Sequence, residues 1–389
     1  MCESLLPKLS YDDITLVPEV VSDICSRSEC NPYDEDGYLP IFASCMSSVV
    51  SFDNLEKFNE AKIKCIIPRS YPLSERVMYL ASHNLNFVAF SLTEARDVLL
   101  GELSGPLQSY AEVKDNYGIP SRLPLRVCID LANGHMTCLL ELVKEIKDKW
   151  GDDVIIMTGN IANPETYRLY DKAGVDYVRV SIGTGNVCST SSNTAVHYPV
   201  FSLLEEIYAV KQEIGGKCKI IADGGIHGFR DIQKALIYAD YVMIGSLFNK
   251  AIESAGKTTY GTFYWNIRGK KIARPLKTLL YYGKEVPKRK YGEVYKLVKA
   301  NKLTVWKENF GMSTKIAQSL INDANGIETK KLKTAEGLLK HQKVEYDIAG
   351  WAENETDYLR SAMSYTNSRT LEEYKDSQWV QILKIAYNQ

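Results

Sequence analysis

The chain has 389 residues, of which 45% are apolar and 24% are charged, an ordinary composition for a soluble globular protein. Its 47 basic and 48 acidic residues give a net charge of −1, so no overall field attracts nucleic acid or membranes. No apolar run approaches the roughly 18–20 residues of a membrane span, and the first residues lack a signal peptide's charged start and apolar core. Nine scattered cysteines without a C-x-x-C pair argue against a zinc module or a disulfide scaffold, so we expect a cytoplasmic protein.

Short β-rich runs alternate with helix-length amphipathic stretches from about residue 39 to residue 250. Eight strands that are each followed by a crossover are the number that closes a (β/α)8 barrel, or TIM barrel. We therefore predict an α/β fold of this class. An open doubly wound sheet is the alternative, because a strand count does not show closure. The predicted strands are Ile41–Met46, Cys65–Ile67, Phe87–Ser91, Arg126–Leu131, Val154–Thr158, Tyr177–Ile182, Lys219–Ala222 and Tyr241–Ile244.

The stretches between these strands, and several after residue 310, have the pattern of helices. Many begin near Asn, Asp, Ser or Pro and end near Gly, as the capping preferences of helices favour. The predicted helices are Asn54–Lys62, Cys138–Lys149, Glu165–Ala173, Pro199–Ile214, Asp231–Tyr238, Thr314–Ile321, Thr356–Tyr365 and Leu371–Asp376.

Small and polar residues follow most of the predicted strands. In a (β/α)8 barrel the active site lies at the carboxyl ends of the strands, in the loops that follow them. We therefore expect these segments to surround one site. They are Ser44-Cys45-Met46, Asp130–Gly134, Gly159-Asn160, Gly183–Cys188, Asp223–Gly225 and Gly245-Ser246.

The strongest local signal is a cysteine on a glycine-rich loop. Gly183 and Gly185 allow a tight turn, and Cys188 follows them among hydroxyl side chains. A free thiol has a pKa of about 8.5, which amide groups and a helix N-terminus can lower enough to make a nucleophile. Most cysteines are simply small buried apolar residues. The setting of Cys188 in the sequence fits a nucleophile and a small packing residue equally well.

Two neighbouring strand ends carry residues suited to a phosphorylated ligand. Asp223 is suited to bind a sugar diol, and the amides of Gly224 and Gly225 to hold a phosphate. Gly245 and Ser246 offer a second phosphate contact after the next strand. The loops after strands seven and eight form the recurrent phosphate site of these barrels. Glycine is also common in ordinary turns, so neither segment alone indicates a phosphate site. The two segments together, at neighbouring strand ends, favour a phosphorylated ligand.

The stretch from about residue 260 to residue 310 differs in composition from the rest. It carries thirteen Lys or Arg against three Glu, with ten aromatic residues between them. Basic charge with stacking rings is typical of a nucleic-acid surface. The alternative, which we favour, is a solvated insertion whose Lys and Arg stems cover aromatic rings. Because both of its ends lie near the expected site, we predict a lid or a subunit contact.

Motifs along most of the chain occur in the order of one enzyme family. The chain resembles the IMP dehydrogenase and GMP reductase family, whose members are purine-nucleotide oxidoreductases built on a (β/α)8 barrel. The resemblance leaves out the insertion and residues 93–124. Its motifs are the opening segment Leu9–Pro18, the loop G-x-G-x-x-C-x-T at Gly183–Thr190, Asp223–Gly225, Gly245-Ser246, Phe310–Ser313, Glu336-Gly337 and Ser364–Thr366.

Four features of this resemblance favour the reductase branch. Asp130–His135 looks like the reductase motif D-x-A-N-G-Y and not like the dehydrogenase's D-S-S-Q-G. The gap between the third and fourth predicted strands is too short for the regulatory CBS modules that dehydrogenases usually carry. No Arg lies between residues 311 and 336 to supply the dehydrogenase's water-activating Arg-Tyr pair. Ile67–Tyr71 is similar to the reductase stretch I-H-K-H-Y, with Arg69 in place of lysine.

The chain departs from the family pattern at several positions. Ser47 stands where the family has Asp, and Asn186 replaces the phosphate-binding Ser of the nucleophile loop. Lys333 takes the place of a reductase Arg, and His135 replaces Tyr. A divergent relative with an altered substrate is therefore an open alternative.

The resemblance implies NADPH-dependent reductive deamination of GMP, or of a related purine nucleotide, to IMP and ammonia. Cys188 would attack C2 of guanine to form a covalent thioimidate. Thr190 and Glu336 would be the catalytic pair that handles the proton of the leaving ammonia. The implied substrate-binding residues are Met46, Asn186, Asp223, Gly224, Gly225, Gly245, Ser246, Met312 and Ser313.

The resemblance also implies NADPH and potassium as cofactors, and a homotetramer as the assembly. The implied NADPH-binding residues are Asp130, Asn133, Gly134 and Arg69. The implied potassium ligands are the backbone carbonyls of Gly183, Gly185 and Cys188.

We thus predict one barrel domain over residues 1–389, with the insertion at about 260–310 and a C-terminal flap and helical segment at about 311–389. Two other functions stay open. One is an NAD-dependent IMP dehydrogenase that lacks CBS modules. The other is a non-catalytic purine-nucleotide-binding protein whose basic insertion contacts nucleic acid.

Overall fold

The computed structural model describes most of the chain. Glu336, Lys333 and residues 276–290 of the insertion lie outside the described residues, so their expected roles stay predictions. The described residues are 7–82, 85–101, 124–267, 270–275, 291–300, 303–327, 332, 334, 337–375 and 377–382.

Eight parallel strands form a closed barrel, in the order in which they occur in the chain. A short strand, β1 (Ile14–Leu16), precedes them. The first and last barrel strands pair through Ile41 and Val242, which closes the sheet. The predicted (β/α)8 fold is confirmed, and the open doubly wound alternative is wrong. The barrel strands are β2 (Ile41–Ala43), β3 (Lys64–Ile67), β4 (Phe87–Phe90), β5 (Leu125–Asp130), β6 (Val154–Ile161), β7 (Tyr177–Val180), β8 (Lys219–Asp223) and β9 (Tyr241–Ile244).

Helices follow the barrel strands, and their buried apolar faces pack with the outward-facing strand residues in one large core. No described helix is long and apolar enough to cross a membrane. The helices of this part of the chain are α1 (Leu55–Glu60), α2 (Leu73–Ala81), α3 (Leu92–Leu99), α4 (Thr137–Trp150), α5 (Pro164–Ala173), α6 (Thr190–Thr194), α7 (Val200–Ile214), α8 (Phe229–Leu236) and α9 (Ser246–Asn249).

Helix α5 shows how the local sequence sets these boundaries. The side chain of Asn163 accepts a hydrogen bond from the amide of Glu165, and Pro164 occupies the first helical position. Proline is suited to that position because its missing N–H would have no partner there. Gly174 ends the helix with a φ of +87°, a left-handed conformation that glycine adopts without strain. The predicted helix Glu165–Ala173 is thereby confirmed to within one residue.

The predicted strand ends are less accurate than the predicted strands. The first barrel strand stops at Ala43, three residues early, because the amide of Met46 turns back to the carbonyl of Ser44 at 2.6 Å. The sixth barrel strand, β7, stops at Val180, two residues early, because Ser181 has a φ of +110°. Helices α2 and α3 were not predicted at all. The polar strand-end segments still lie in the loops, as expected.

An aromatic cluster fills the barrel interior. The rings of Phe42, Phe87, Tyr177 and Tyr241 lie within 5.0–6.0 Å of one another, centroid to centroid, in edge-to-face and tilted pairs. Such arrangements suit the charge distribution of aromatic rings. Together with smaller apolar side chains they form a second core that is separate from the helix-facing one. This packed interior is a fixed floor beneath the carboxyl ends of the strands.

A four-stranded antiparallel sheet is added to the barrel, and it includes the described part of the insertion. Its strand order is β11, β10, β12, β13. The side chain of Asn249 donates to the carbonyl of Glu308 at 2.8 Å, and the hydroxyl of Ser48 donates to the carbonyl of Phe310 at 3.0 Å. The sheet is therefore fixed to the barrel loops. The elements are β10 (Thr258–Ile267), β11 (Lys270–Pro275), α10 (Tyr291–Lys299), β12 (Leu303–Phe310), α11 (Lys315–Ala324) and β13 (Leu339–Lys343).

The C-terminal segment returns to the barrel as helices α12 (Ile348–Tyr365) and α13 (Leu371–Tyr374) and strand β14 (Trp379–Gln381). Strand β14 pairs with β1 in antiparallel register. Helix α12 begins eight residues before its predicted start at Thr356. The reason is the N-cap Asp347, whose carboxylate accepts from the amide of Gly350 at 2.8 Å.

A carboxyl group is buried where α12 packs on α8. Glu355 is fully buried, and its Oε1 accepts a hydrogen bond of 3.4 Å from the side-chain amide of Gln233. Its other oxygen has no partner among the described residues. Burial raises the pKa of Glu355 well above its usual range, because the charged form is poorly solvated there. A carboxyl whose pKa is raised by folding destabilises the folded state once the pH exceeds the pKa that the group has in the unfolded chain.

We expect Glu355→Gln to stabilise the protein more at pH 8 than at pH 5. The free energy of unfolding of the wild type falls by up to about 1.4 kcal/mol per pH unit between the pKa of this group in the unfolded state and its pKa in the folded state. Glutamine does not titrate, so the variant does not show this fall. Urea unfolding at both pH values measures the difference. Glu353→Gln, at an exposed position of the same helix, is the matched control. An equal effect of Glu355→Gln at both pH values would contradict a buried neutral carboxyl.

Candidate active site at the carboxyl ends of the barrel strands

The loop between β7 and α6 carries the predicted nucleophile. The hydroxyl of Ser191 donates to the carbonyl of Gly183 at 2.9 Å, and the amide of Cys188 donates to the carbonyl of Gly185 at 2.9 Å. A Cβ at Gly183, where φ is +78°, would lie 2.7 Å from the Cβ of Ser191. The glycine is therefore required by this tight turn, as the sequence predicts.

Cys188 differs from the other cysteines of the barrel in its exposure. Its side chain is half-buried, whereas Cys45, Cys65, Cys128 and Cys218 are buried. Its thiol lies 3.3 Å from the hydroxyl of Thr190, the first residue of α6. The structure thus brings together two of the three predicted catalytic residues. The third, Glu336, lies outside the described residues.

The flap pairs directly with the nucleophile loop. Gly337 forms an antiparallel bridge with Cys188, and the amide of Leu338 donates to the carbonyl of Val187 at 2.9 Å. A Cβ at Gly337 would lie 2.8 Å from the side chain of Thr314 and 3.1 Å from the hydroxyl of Ser313. The flap residues Gly337 and Leu338 are thus fixed against the loop that carries the thiol.

The turn after β8 packs against the same loop. A Cβ at Gly224, where φ is +108°, would lie 2.3 Å from the hydroxyl of Thr184. Gly225 also has a positive φ, of +74°. Only glycine permits both this backbone conformation and this close approach. The predicted ribose and phosphate residues, Asp223 to Gly225, are therefore placed beside the nucleophile loop.

The end of the first barrel strand contacts the end of the last one. A Cβ at Gly245 would lie 2.6 Å from the sulfur of Met46. The hydroxyl of Ser47 donates to the hydroxyl of Ser70 at 2.7 Å and lies 3.7 Å from the sulfur of Met312. The predicted substrate residues Met46 and Met312 thus lie at the same end of the barrel. Ser47, noted as a departure from the family, joins the two loops.

A buried arginine joins the two predicted ligand-binding carboxylates. Arg179, on β7, places its Nη1 2.8 Å from Asp130 Oδ1 and its Nε 3.0 Å from Asp223 Oδ2. The amide nitrogen of Asn160 also donates to Asp223 Oδ2, at 2.8 Å. The ends of β5, β6, β7 and β8 are therefore linked by one polar network. The guanidinium also lies over two thiols of the barrel interior, 3.9 Å from Cys45 and 3.8 Å from Cys128.

The charges in this network determine its protonation. Burial by itself would raise the pKa of Asp130, but the neighbouring Arg179 and Arg69 outweigh it, and the pKa is lowered. Burial likewise disfavours the charged form of Arg179, yet its carboxylate neighbours, Asp223 foremost, raise its pKa well above the usual range. Asp130 is thus held ionised at the end of β5.

The predicted cofactor residues lie on and beside Asp130. Arg69 Nε is 3.4 Å from Asp130 Oδ2 and, among the described residues, has no hydrogen-bond partner. The side-chain oxygen of Asn133 accepts from the amide of His135 at 2.9 Å. The amide of Gly134 donates to the carbonyl of Asn160 at 2.9 Å. A cation beside this carboxylate fits the phosphates or ribose oxygens of a dinucleotide.

His135 is a neutral structural residue in this arrangement. Its Nε2 accepts from the amide of Ala162 at 3.0 Å, so its proton is on Nδ1, which donates to the hydroxyl of Thr166 at 3.1 Å. Burial lowers its pKa, which agrees with a neutral ring. The histidine therefore fixes the Asn133-Gly134 turn to the loop after β6.

Two of the three predicted potassium ligands, the carbonyls of Gly183 and Gly185, already accept hydrogen bonds within the loop. A lysine ammonium also lies in the loop, since Lys340 Nζ is 2.6 Å from the carbonyl oxygen of Asn186 and 2.9 Å from its side-chain oxygen. A cage of free carbonyls, which a potassium ion requires, does not fit this arrangement. Among the described residues, no cluster of His, Cys, Asp and Glu could hold a metal ion either.

Sequence reasoning placed Asn160 at the site but missed Arg179 and Lys340. A signal for Arg179 was present, because it interrupts the apolar run of β7 in a barrel whose strands are buried on both faces. A charged residue in such a strand needs a paired partner. Lys340 gave no comparable signal, since it is one of many lysines near the flap.

Comparisons with known proteins agree with this site. Residues 126–285 match the IMP dehydrogenase / GMP reductase domain. The chain is 28% identical over 294 residues to the GMP reductase of Streptococcus pyogenes serotype M5 (strain Manfredo), and equally to that of serotype M28 (strain MGAS6180). Each alignment covers 70% of this chain and 84% of the relative.

The fold and the site define a (β/α)8 barrel with a cysteine loop at its carboxyl end. The chain is similar to the IMP dehydrogenase and GMP reductase family, and this similarity indicates a purine-nucleotide oxidoreductase. The motifs and the comparisons agree in placing it near the GMP reductases.

We expect Arg179→Met to destabilise the protein by about 3–5 kcal/mol, because it leaves Asp130 and Asp223 buried without their shared cation. Arg179→Lys should lower the free energy of unfolding by less, because it keeps the positive charge. It should still be less stable than wild type, because an ammonium cannot bridge two carboxylates as a guanidinium does. Urea unfolding measures both. Arg168→Met, which removes an exposed arginine from a surface ion pair, should have little effect. Equal stability of Arg179→Met and wild type would show that the network is not a structural requirement.

Proposed function

We propose that this protein is a cytoplasmic, NADPH-dependent GMP reductase, which converts GMP or a closely related purine nucleotide to IMP and ammonia. The observation that carries the proposal is the half-buried Cys188 thiol beside Thr190 on a loop that packs against the Asp223-Gly224 turn. A nucleophile and a site for ribose and phosphate are thus adjacent. We also propose a homotetramer, as the family resemblance implies.

The chemistry begins with the thiolate of Cys188. It adds to C2 of guanine, and the C2 amino group leaves as ammonia, so that a thioimidate remains on the sulfur. Covalent catalysis divides a difficult displacement into easier steps. Thr190 and Glu336 deliver the proton to the departing amine, a contribution worth roughly 10²–10⁴-fold in such reactions. Support for Thr190 is its distance of 3.3 Å from the thiol.

Substrate orientation comes from the loops around Cys188. Asp223 would bind the ribose hydroxyls, and its ion-pair partner Arg179 holds that carboxylate in place. The amides of Gly224 and Gly225, with those of Gly245 and Ser246, would hold the phosphate. Further contacts to the nucleotide would come from Met46, Asn186, Met312 and Ser313.

The cofactor would lie on the Asp130 side of the barrel mouth. Asp130 is suited to a ribose, and the guanidinium of Arg69 beside it to a phosphate. The turn at Asn133 and Gly134, fixed by His135, would border the same space. When bound, NADPH supplies the hydride that reduces C2.

The preference for the reductase over the dehydrogenase rests on sequence features around these residues. The Asp130–His135 motif, the absence of room for CBS modules and the arginine-free segment 311–336 all favour a reductase. An IMP dehydrogenase without CBS modules runs the opposite redox direction. A non-catalytic binding protein would keep the pocket and have no turnover.

We expect a 6-chloropurine nucleotide to label Cys188 and no other cysteine. The reason is that, among the described cysteines, only this thiol combines partial exposure with a loop at the proposed nucleotide site. Peptide mass spectrometry should find one nucleotide on the peptide that contains Cys188. The exposed Cys25 and Cys138 are internal controls for accessibility alone. Labelling of Cys138 with Cys188 unmodified would reject the assignment.

We expect the reduced nicotinamide absorbance to fall when NADPH is mixed with GMP and to stay constant when NAD is mixed with IMP. Crossing GMP, dGMP and IMP with both cofactors separates the candidate functions. A rise with NAD and IMP would identify the dehydrogenase. Cys188→Ser should keep nucleotide binding and lose all turnover. Binding without turnover in every combination would favour the non-catalytic alternative.

A further inference from the structure

The nucleophile loop is held by a lysine that no part of the proposed chemistry uses. Lys340 lies on β13, and its Nζ is 2.6 Å from the main-chain oxygen of Asn186 and 2.9 Å from the side-chain oxygen of the same residue. Asn186 is two residues before Cys188. An ammonium that binds a carbonyl and an amide oxygen makes two charge-assisted hydrogen bonds, which are stronger than neutral ones.

The position of this ammonium is fixed by the added sheet. Lys340 pairs with Asn309 on β12, in the register given by the β12–β13 ladder. Strand β12 is in turn fixed to the barrel through Asn249 and Ser48, which bind the carbonyls of Glu308 and Phe310. The lysine thus reaches the loop from a rigid support and not from a free surface.

The same flap segment holds the loop at a second point. The amide of Leu338 donates to the carbonyl of Val187, next to Asn186. Two successive carbonyls of the loop are therefore bound by residues 338 and 340. The remaining loop carbonyls of Gly183 and Gly185 are bound from within the loop. A second cation on these oxygens would also be repelled by the ammonium of Lys340.

We propose that the ammonium of Lys340 is a built-in monovalent cation that orders the Cys188 loop in place of a dissociable potassium ion. Lys340 is then a positioning residue, which acts on Cys188 through Asn186 and does not touch the substrate. Its relevance to turnover rests on the proposed function, but its effect on the loop does not.

The test compares Lys340→Met, which removes the charge at similar length, with Lys340→Arg, which keeps it. Lys343→Met, at an exposed position of the same strand, is the matched control. Each full-length protein is studied in potassium chloride and in tetramethylammonium chloride of equal ionic strength. Hydrogen exchange of the peptide that covers residues 183–190 reports loop order without substrate. Turnover of GMP with NADPH and nucleotide affinity are measured in parallel.

We expect wild-type exchange and turnover to be equal in the two salts. In Lys340→Met, the loop amides should exchange faster and turnover should fall by about 10- to 100-fold, the factor that a charge-assisted hydrogen bond is worth. Nucleotide affinity should change less than turnover. Lys340→Arg should keep most of the loop protection and most of the turnover. Lys343→Met should resemble wild type in both measurements. An unchanged melting temperature shows that the variants are folded.

Wild-type loop protection that requires potassium, with Lys340→Met like wild type, would overturn the proposal. So would a loss of nucleotide affinity in Lys340→Met with unchanged loop exchange, since Lys340 would then bind the ligand. If no protein turns over GMP in either salt, the proposed function fails. The exchange data still decide the role of Lys340 in that case, because they need neither substrate nor cofactor.

Discussion

The site depends on one buried cation between two carboxylates. Asp130 and Asp223 end barrel strands β5 and β8, and without Arg179 their charges would repel each other in a poorly solvated interior. The guanidinium suits this position because it is planar and presents several donors in fixed directions. By joining the two strand ends, it also sets the spacing between the proposed nucleotide side and the proposed cofactor side.

The nucleophile loop depends on neighbours from three other parts of the chain. The Gly224 turn contacts it from β8, the flap pairs with Val187 and Cys188, and Lys340 binds Asn186. A thiol that must meet a substrate carbon in a fixed direction needs such support, because a small misplacement costs much of the rate. The added sheet therefore has a structural task at the site. Through β12 and β13, it connects the barrel loops to the cysteine.

Much of the fold and part of the site could be predicted from local signals. The alternation of β-rich and amphipathic runs indicates the barrel, and the glycines at positions 183, 224 and 245 mark places where the backbone approaches closely. Strand ends were less predictable, since residues such as Ser44 and Ser181 leave the strand through hydrogen bonds and backbone angles that their identities do not signal. The four-stranded sheet was missed, because only β10 and β11 form a local hairpin, whereas β10 pairs with β12 and β12 with β13 across long connections.

The sequence by itself determined the class of fold, the cysteine loop and the order of the family motifs, because these follow from residue type and spacing along the chain. Only the tertiary structure decided which charges meet. Arg179 comes between Asp130 and Asp223, and Lys340 meets Asn186, across separations of 44 to 154 residues. Electrostatic and hydrogen-bond energies depend on distance in space and on burial, neither of which spacing in the sequence specifies. The polar network at the barrel mouth therefore emerges only when the strands close.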